Sequence, residues 1–235
     1  MGKVLLMKYK AVIFDLFGTL VDMFPLAEYH STLSEMASIL AVSSEDFTRL
    51  WLETVNERFT GAFPTLESNI EHICQVIGMP LEDSHITEAV RIRCEFTRRM
   101  FKPRPDTIET LIQFKEVGCK IGLVSDCSSE VPDLWPNTPF ISLVDAPIFS
   151  CAVGFTKPDP RIYRLVCKRL AVVPQDCLYI GDGGSNELTG ASQMGMHTVL
   201  IRAPYQDGYD FYRSDAKRWQ GPVISRLKDA LAFIG

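Results

Sequence analysis

The sequence predicts an α/β protein: a parallel sheet covered by helices on both faces, interrupted after its first strand by an all-α insertion. Three observations carry that expectation. Short apolar runs alternate with amphipathic stretches from Lys102 onward, the pattern of strand–helix–strand crossovers. The first apolar run, Ala11-Val12-Ile13-Phe14, is separated from the others by residues 23–100, where the periodicity is helical. Three of the runs end in a polar side chain, at Asp15, Ser125 and Asp182. Parallel strands gather such ends at one rim, where open α/β sheets place ligands.

Ala11–Phe14 suits a strand buried on both faces. Asp15 ends it, and Gly18-Thr19 follow, a flexible turn and a hydroxyl beside a carboxylate. The insertion reads as four amphipathic helices with short breaks, a small bundle. Leu26, Tyr29, Leu33, Met36, Ala37 and Leu40 mark the first. Phe47, Leu50, Trp51 and Val55 mark the second, behind a Ser43/Ser44 start signal. Leu66, Ile70, Ile73 and Ile77 mark the third, closed by Gly78 and Pro80, and Ile86, Ala89, Val90 and Cys94 mark the fourth. The chain turns at Lys102-Pro103-Arg104-Pro105, and Asp106-Thr107-Ile108-Glu109 has capping-box form, opening a helix to about Val117. Strands are expected at Lys120–Val124, Pro147–Ser150, Cys177–Ile180 and His197–Ile201, with an edge strand at 222–224. Gly154–Pro160 reads as a loop. Helices are expected from Arg161 to about Leu170, from about Asn186 to Met194, and over 225–234. The domain organisation that follows is a core of residues 1–22 and 101–235 with residues 23–100 inserted.

Composition excludes several classes. Hydrophobic residues make up 46% and charged residues 23% of the 235, ordinary for a globular chain with a sizeable core. A net charge of −5 with no dense Lys/Arg run argues against nucleic acid or an anionic membrane as partner. No apolar stretch approaches the ~18 residues that span a bilayer. The start, MGKVLLMKYK, has a short apolar patch without signal-peptide architecture. The 7 cysteines include no CxxC pair, which suits free thiols in a reducing cytoplasm rather than a disulfide frame or a zinc site.

The expected rim collects two carboxylates, a hydroxyl and the nearby Lys157 in one crevice under the insertion. FDLFGTL, LVSD, GFTKPDPRIY and GDGGSNELTGASQMGM, in that order, resemble the four motifs of the haloacid dehalogenase superfamily, and the inserted helices resemble its α-helical cap. The resemblance implies a Rossmann-like core and assigns roles residue by residue. Asp15 would be the nucleophile that forms an aspartyl intermediate. Thr19 and Ser125, with Asp126 and Lys157, would bind the transferring anionic group, Lys157 also positioning Asp15. Mg²⁺ would be held by Asp15, the backbone carbonyl of Phe17 and Asp182, all hard oxygen donors. Its charge would keep Asp15 ionised beside an anionic substrate.

Two departures matter. Most phosphatases of the superfamily read DxDxT, the second Asp being the general acid; here Phe17 stands there and transfers no proton. The 2-haloacid dehalogenases also lack that acid, but they work without metal and do not keep the Asp found at 182. Asn186 holds the usual place of a second metal carboxylate and Glu187 lies one beyond; either could complete the shell, with Glu187 favoured for its charge. A dehalogenase also needs a cap arginine for the substrate carboxylate. Arg49 and Arg58 are available, and each reads as an exposed helix arginine. Asp22 and His30 are the nearest titratable groups in sequence that could supply the missing proton.

The expected function is Mg²⁺-dependent hydrolysis of a small phosphorylated metabolite. One alternative is a metal-independent 2-haloacid dehalogenase. The other is a binding or regulatory protein that keeps the fold and turns over weakly because of Phe17.

Overall fold

Four consecutive residues with no solvent exposure, Ala11–Phe14, form strand β1 in the middle of the sheet. A computed structural model of the chain describes residues 8–80, 82–202 and 213–234. In it β1 lies between β2 (Lys120–Ser125) and β4 (Cys177–Gly181). With β3 (Ala146–Phe149), β5 (His197–Ile201) and β6 (Val223–Ile224) they make a parallel sheet in the order β3-β2-β1-β4-β5-β6. The order reverses at β1. Chain growth first runs outward through β2 and β3, then restarts on the other side at β4. The reversal opens a crevice at the carboxyl ends of β1, β2 and β4, where Asp15, Ser125 and Asp182 stand.

Side chains alternate across the sheet with the two-residue period of a strand. Val12, Phe14, Leu123 and Ile180 face one apolar core, completed by Leu111 and Phe114 of helix α6 (Thr107–Glu116). Ile13, Val124 and Tyr179 face the other, completed by Ile162, Tyr163 and Val166 of α9 (Pro160–Leu170) and Leu188 of α10 (Glu187–Gln193). Between them in sequence lie two short helices that the periodicity did not announce, α7 (Glu130–Leu134) and α8 (Ser150–Val153).

The insertion has a third core of its own, around Leu33, Phe47, Trp51, Ile70 and Ala89. Its helices are α1 (Leu26–Ile39), α2 (Ser44–Glu53), α3 (Val55–Phe59), α4 (Leu66–Ile77) and α5 (Asp83–Met100). Ser43 caps α2 by accepting from the Asp46 N–H, and Gly78, at φ 81°, ends α4. Five helices stand where four were expected. Thr54 leaves helical geometry and its hydroxyl donates back to the carbonyls of Leu50 and Trp51, so the stretch splits into α2 and α3.

Two further expectations are corrected. Asp106 precedes α6 without a side-chain cap; its carboxylate instead accepts the Lys228 N–H at 3.0 Å, tying the chain's end to the start of α6. The closing stretch is a 3₁₀ helix over Leu227–Phe233, not an α-helix. Leu227 and Ala230, three apart and both fully buried, suit its three-residue turn. Among the described residues no helix is long and apolar enough to cross a membrane, and all 7 cysteines are free thiols. The apolar patch at Val4–Leu6 lies outside the described residues.

Candidate active site

The turn after β1 is built to present Asp15. The Leu16 carbonyl accepts the N–H groups of Leu20 and Val21, and Gly18, at φ 85°, donates to the Val21 carbonyl. Gly18 is required twice over. A side chain there would adopt left-handed backbone, and its Cβ would meet Asp182 Oδ2 at 2.2 Å. Arg104, buried, donates to the Gly18 and Thr19 carbonyls at 3.0 and 3.2 Å, and the Thr107 hydroxyl donates to the Leu20 carbonyl.

The structure brings together Asp15, Thr19, Ser125, Lys157, Asp182 and Glu187, all buried. Lys157 Nζ donates to Asp15 Oδ1 at 2.6 Å and to Glu187 Oε2 at 2.8 Å. The Thr19 hydroxyl donates to Asp15 Oδ2 at 3.2 Å. Ser125 Oγ is buried with no hydrogen-bond partner among the described residues. Oxygens of Asp15, Asp182 and Glu187 lie within 4.8 Å of one another. Glu187 is fully engaged: Oε1 accepts the Gly183 N–H at 2.9 Å, and Oε2 accepts the Tyr179 hydroxyl at 2.9 Å beside Lys157. Asn186 is exposed, and its backbone N–H donates to Ser214 Oγ. Asp126 reaches the crevice as an acceptor, taking the Lys157 N–H at 3.0 Å and so fixing the loop that carries the lysine.

The electrostatics follow from the count of charges. Burial, opposed by Lys157 and reinforced by Asp182, raises the Asp15 carboxyl to about 6. Burial likewise raises Glu187, to about 8, against the pull of Lys157. Burial alone would lower Lys157, but Asp15, Glu187 and Asp126 outweigh it and hold the ammonium well above its usual value. The upward direction of both acids is what three crowded carboxylates require when few cations face them.

Above the rim a cavity of about 540 Å³ separates these groups from the inserted helices. Its far wall is largely apolar, with Phe24, Leu26, Leu52, Val55 and Phe59. His30 lines it, whereas Asp22 stands outside with Arg104 Nε at 3.5 Å. Arg49 is exposed and pairs with Asp46 and Glu53 on its own helix. Arg58 is a correction: only 3% exposed, it lines the cavity. Its Nη1 donates to the Trp51 carbonyl, the Thr54 hydroxyl and Asn69 Oδ1, and its guanidinium lies 4.2 Å from the Trp51 ring centroid. Burial lowers its pKa to about 10, which leaves it a cation at neutral pH.

Three charged groups here had no motif to announce them. Arg213 Nε donates to Asp182 Oδ2 at 2.7 Å, with both residues buried. Arg93 of α5 and Glu130 of α7 form a buried pair at 3.0 Å that joins the insertion to the core. Arg93 follows Ile86 and Ala89 on the apolar stripe of α5. Glu130 comes five residues after the strand-end Ser125, near the rim by topology alone.

A parallel sheet with a carboxylate, a lysine and a cluster of acids at its switch point, beneath an all-α insertion, is a doubly wound α/β fold whose ligand crevice holds a candidate nucleophile and cation site. Residues 9–195 match the haloacid dehalogenase-like hydrolase family. The glyceraldehyde 3-phosphate phosphatase of Methanopyrus kandleri is 31% identical over 84% of this chain and 86% of its own. The (S)-2-haloacid dehalogenase 4A of Burkholderia cepacia is 28% identical over 82% of each. A family enzyme from Bacteroides thetaiotaomicron, solved with magnesium and inorganic phosphate, superposes with a TM-score of 0.65 at 16% identity, covering 86% of this chain and 99% of that one. The chain belongs to the haloacid dehalogenase-like hydrolases.

Proposed function

We propose that the protein hydrolyses phosphate monoesters of small metabolites through a phosphoaspartate on Asp15, with Mg²⁺ at the carboxylate cluster. The observation that carries this reading is the convergence of Asp15, Asp182 and Glu187 beneath the cavity. The donor set suits the ion. It offers hard oxygens at one point, and Gly18, lacking a Cβ, gives Asp182 room beside the nucleophile's turn. Asp15, Asp182 and the Phe17 carbonyl would hold the ion, and Glu187, already engaged by three donors, holds Lys157. When bound, Mg²⁺ offsets the repulsion between carboxylate and phosphate.

Asp15 attacks phosphorus, and the ester oxygen leaves with the bonding pair. Lys157, Thr19 and the unpartnered hydroxyl of Ser125 are the donors that meet the phosphoryl oxygens. Water then attacks phosphorus, releasing phosphate and restoring Asp15. Phe17 gives the leaving group no proton, so acidic leaving groups are favoured; for others His30, on the cavity wall, is the donor. Residues 23–100 act as the cap, hinged at 22–24 and 101–104, and their closure excludes water. The phosphatase name of the Methanopyrus kandleri relative supports a small phosphorylated substrate.

A second reading rests on Arg58. A buried cation whose hydrogen bonds among the described residues go to neutral groups, on the wall of a cavity where Phe17 rather than an acid stands two residues after Asp15, could hold the carboxylate of a 2-haloacid. A panel of phosphorylated metabolites and haloacids, run with Mg²⁺ and with chelator, separates the two. We expect phosphate release that chelator abolishes. Halide release insensitive to chelator would overturn the phosphatase reading.

A further inference from the structure

The segment beginning at Arg213 is fastened onto the loop after β4. The Asp215 N–H donates to the Gly183 carbonyl at 3.0 Å, Ser214 Oγ accepts the Asn186 N–H at 3.0 Å, and the Asp215 carboxylate accepts both the N–H and the hydroxyl of Thr189. A side chain on Gly183 would collide with the Ala216 backbone at 2.9 Å. This seating delivers Arg213 to Asp182, 2.7 Å from Oδ2, while Oδ1 takes the Gly184 N–H at 3.0 Å. Arg213 also lines the cavity, as do Asp15 and Lys157.

We propose that Arg213 is a positioning residue that competes with the divalent cation for Asp182 and turns to the phosphoryl group when substrate arrives, so that cation and anion bind tightly only together. The proposal rests on the reading that the cation sits at Asp15 and Asp182. Arg213 already holds Asp182 Oδ2, one cation on the carboxylate that the divalent ion would take. A divalent cation bound alone sets like charges against each other on that carboxylate. A phosphate dianion placed between them offsets the repulsion. The planar guanidinium suits phosphate oxygens as well as carboxylate oxygens. Arg213 lines the same cavity as Asp15 and Lys157, so both of its partners in the exchange lie in one site. The coupling is reciprocal: whatever phosphate does to Mg²⁺ affinity, Mg²⁺ does to phosphate affinity.

The test is calorimetric titration of Mg²⁺ into the full chain, with and without saturating inorganic phosphate. In wild type, phosphate tightens Mg²⁺ binding by about tenfold or more, within the usual range of such couplings. Arg213→Met binds Mg²⁺ alone about tenfold more tightly than wild type, yet gains less than about threefold from phosphate, because the repelling charge and its anion-binding role are lost together. Arg213→Gln keeps a donor for Asp182 without the charge and moves the same way, which covers the case in which the Met variant fails to fold. A merely structural role would weaken both titrations. Equal or weaker Mg²⁺ binding in folded variants, or undiminished coupling, overturns the role of Arg213 alone. Absence of Mg²⁺ binding from wild type and variants alike, with or without phosphate, overturns the cation reading as well.

Discussion

Arg93→Met should be far more damaging than its double mutant with Glu130→Leu. The pair is almost sealed from water, Arg93 at 4% and Glu130 at 1% exposure, with contacts of 3.0 Å. The guanidinium is packed among the rings of Phe24, Tyr29, Trp51 and Phe96, at 5.3 to 5.8 Å from their centroids. Methionine packs against those rings but leaves the buried carboxylate without its cation, with the Thr97 and Ser128 hydroxyls as its side-chain donors. Breaking a buried pair from one side costs about 3–5 kcal/mol. For a chain of this length that is a fall of roughly 10 °C in Tm, at about 2–4 °C per kcal/mol. Replacing both partners removes the stranded charge, so the double variant should melt within a few degrees of wild type. The pH dependence carries a sign. Burial pushes the Glu130 carboxyl up, but Arg93 and Ser128 outweigh it and hold it below its ordinary 4.5. The wild-type contribution is therefore present above pH 4.5 and is lost as pH falls through the lowered value. In Arg93→Met the largest influence opposing burial is lost and only the weaker hydrogen bonds remain, so the Glu130 pKa rises and the penalty shrinks as the carboxyl takes up a proton. Urea denaturation at about pH 8 and about pH 5 should show the gap between wild type and variant narrowing. A single variant less than about 1 kcal/mol below wild type, or a double variant no better than the single, would refute a sealed pair.

Phe17→Asp places an acid two residues beyond Asp15, the proposed nucleophile, and should raise turnover of alkyl phosphates by up to ~10²-fold, with less gain on p-nitrophenyl phosphate. A thermal melt must accompany those kinetics, because the lost ring packs 4.6 Å from Phe24. Gly18→Ala forces the turn into a strained conformation and pushes Asp182 aside, so Mg²⁺ affinity measured by calorimetry should fall at least about tenfold while the far-ultraviolet spectrum is kept. Asp182→Ala should abolish Mg²⁺ binding; affinity equal to wild type would remove Asp182 from the cation site. Replacing residues 23–100 by a short loop in the Glu130→Leu background should erase discrimination among small phosphate esters, and an unchanged substrate ranking would place specificity in the core.

Much of this architecture could be read from apolar runs and what ends them. Asp15, Ser125 and Asp182 close strands that lie side by side, so parallel topology alone brings them to one rim. Lys157 sits in a loop whose position relative to Asp15 depends on the α9 crossover, and the motif order supplied what periodicity could not. The cations were harder. Arg58 follows the break at Thr54, which resets the helical phase, so its buried side could not be inferred from the stripe of α2. Arg93 stands on an apolar stripe but shares its helix with Arg91, Arg98 and Arg99, and only tertiary packing shows which one is sealed in. Arg213 belongs to a segment without strand or helix, held by side chains of Ser214 and Asp215 that sequence pattern does not connect to the loop after β4. The 3₁₀ character of Leu227–Phe233 is a matter of one residue's spacing in a short apolar stretch.

The measurement that bears most directly on the central claim is the mass of the Asp15 peptide after a single turnover. Enzyme and a phosphate monoester are mixed with Mg²⁺ in water enriched in the heavy oxygen isotope, quenched in acid and digested. If Asp15 attacks phosphorus, the quenched peptide carries a phosphoryl group early in the reaction, and after turnover the heavy oxygen appears in released phosphate with Asp15 unlabelled. Asp15→Asn should show neither the adduct nor phosphate release. Heavy oxygen incorporated into Asp15 itself, or phosphate released by Asp15→Asn at the wild-type rate, would contradict the account.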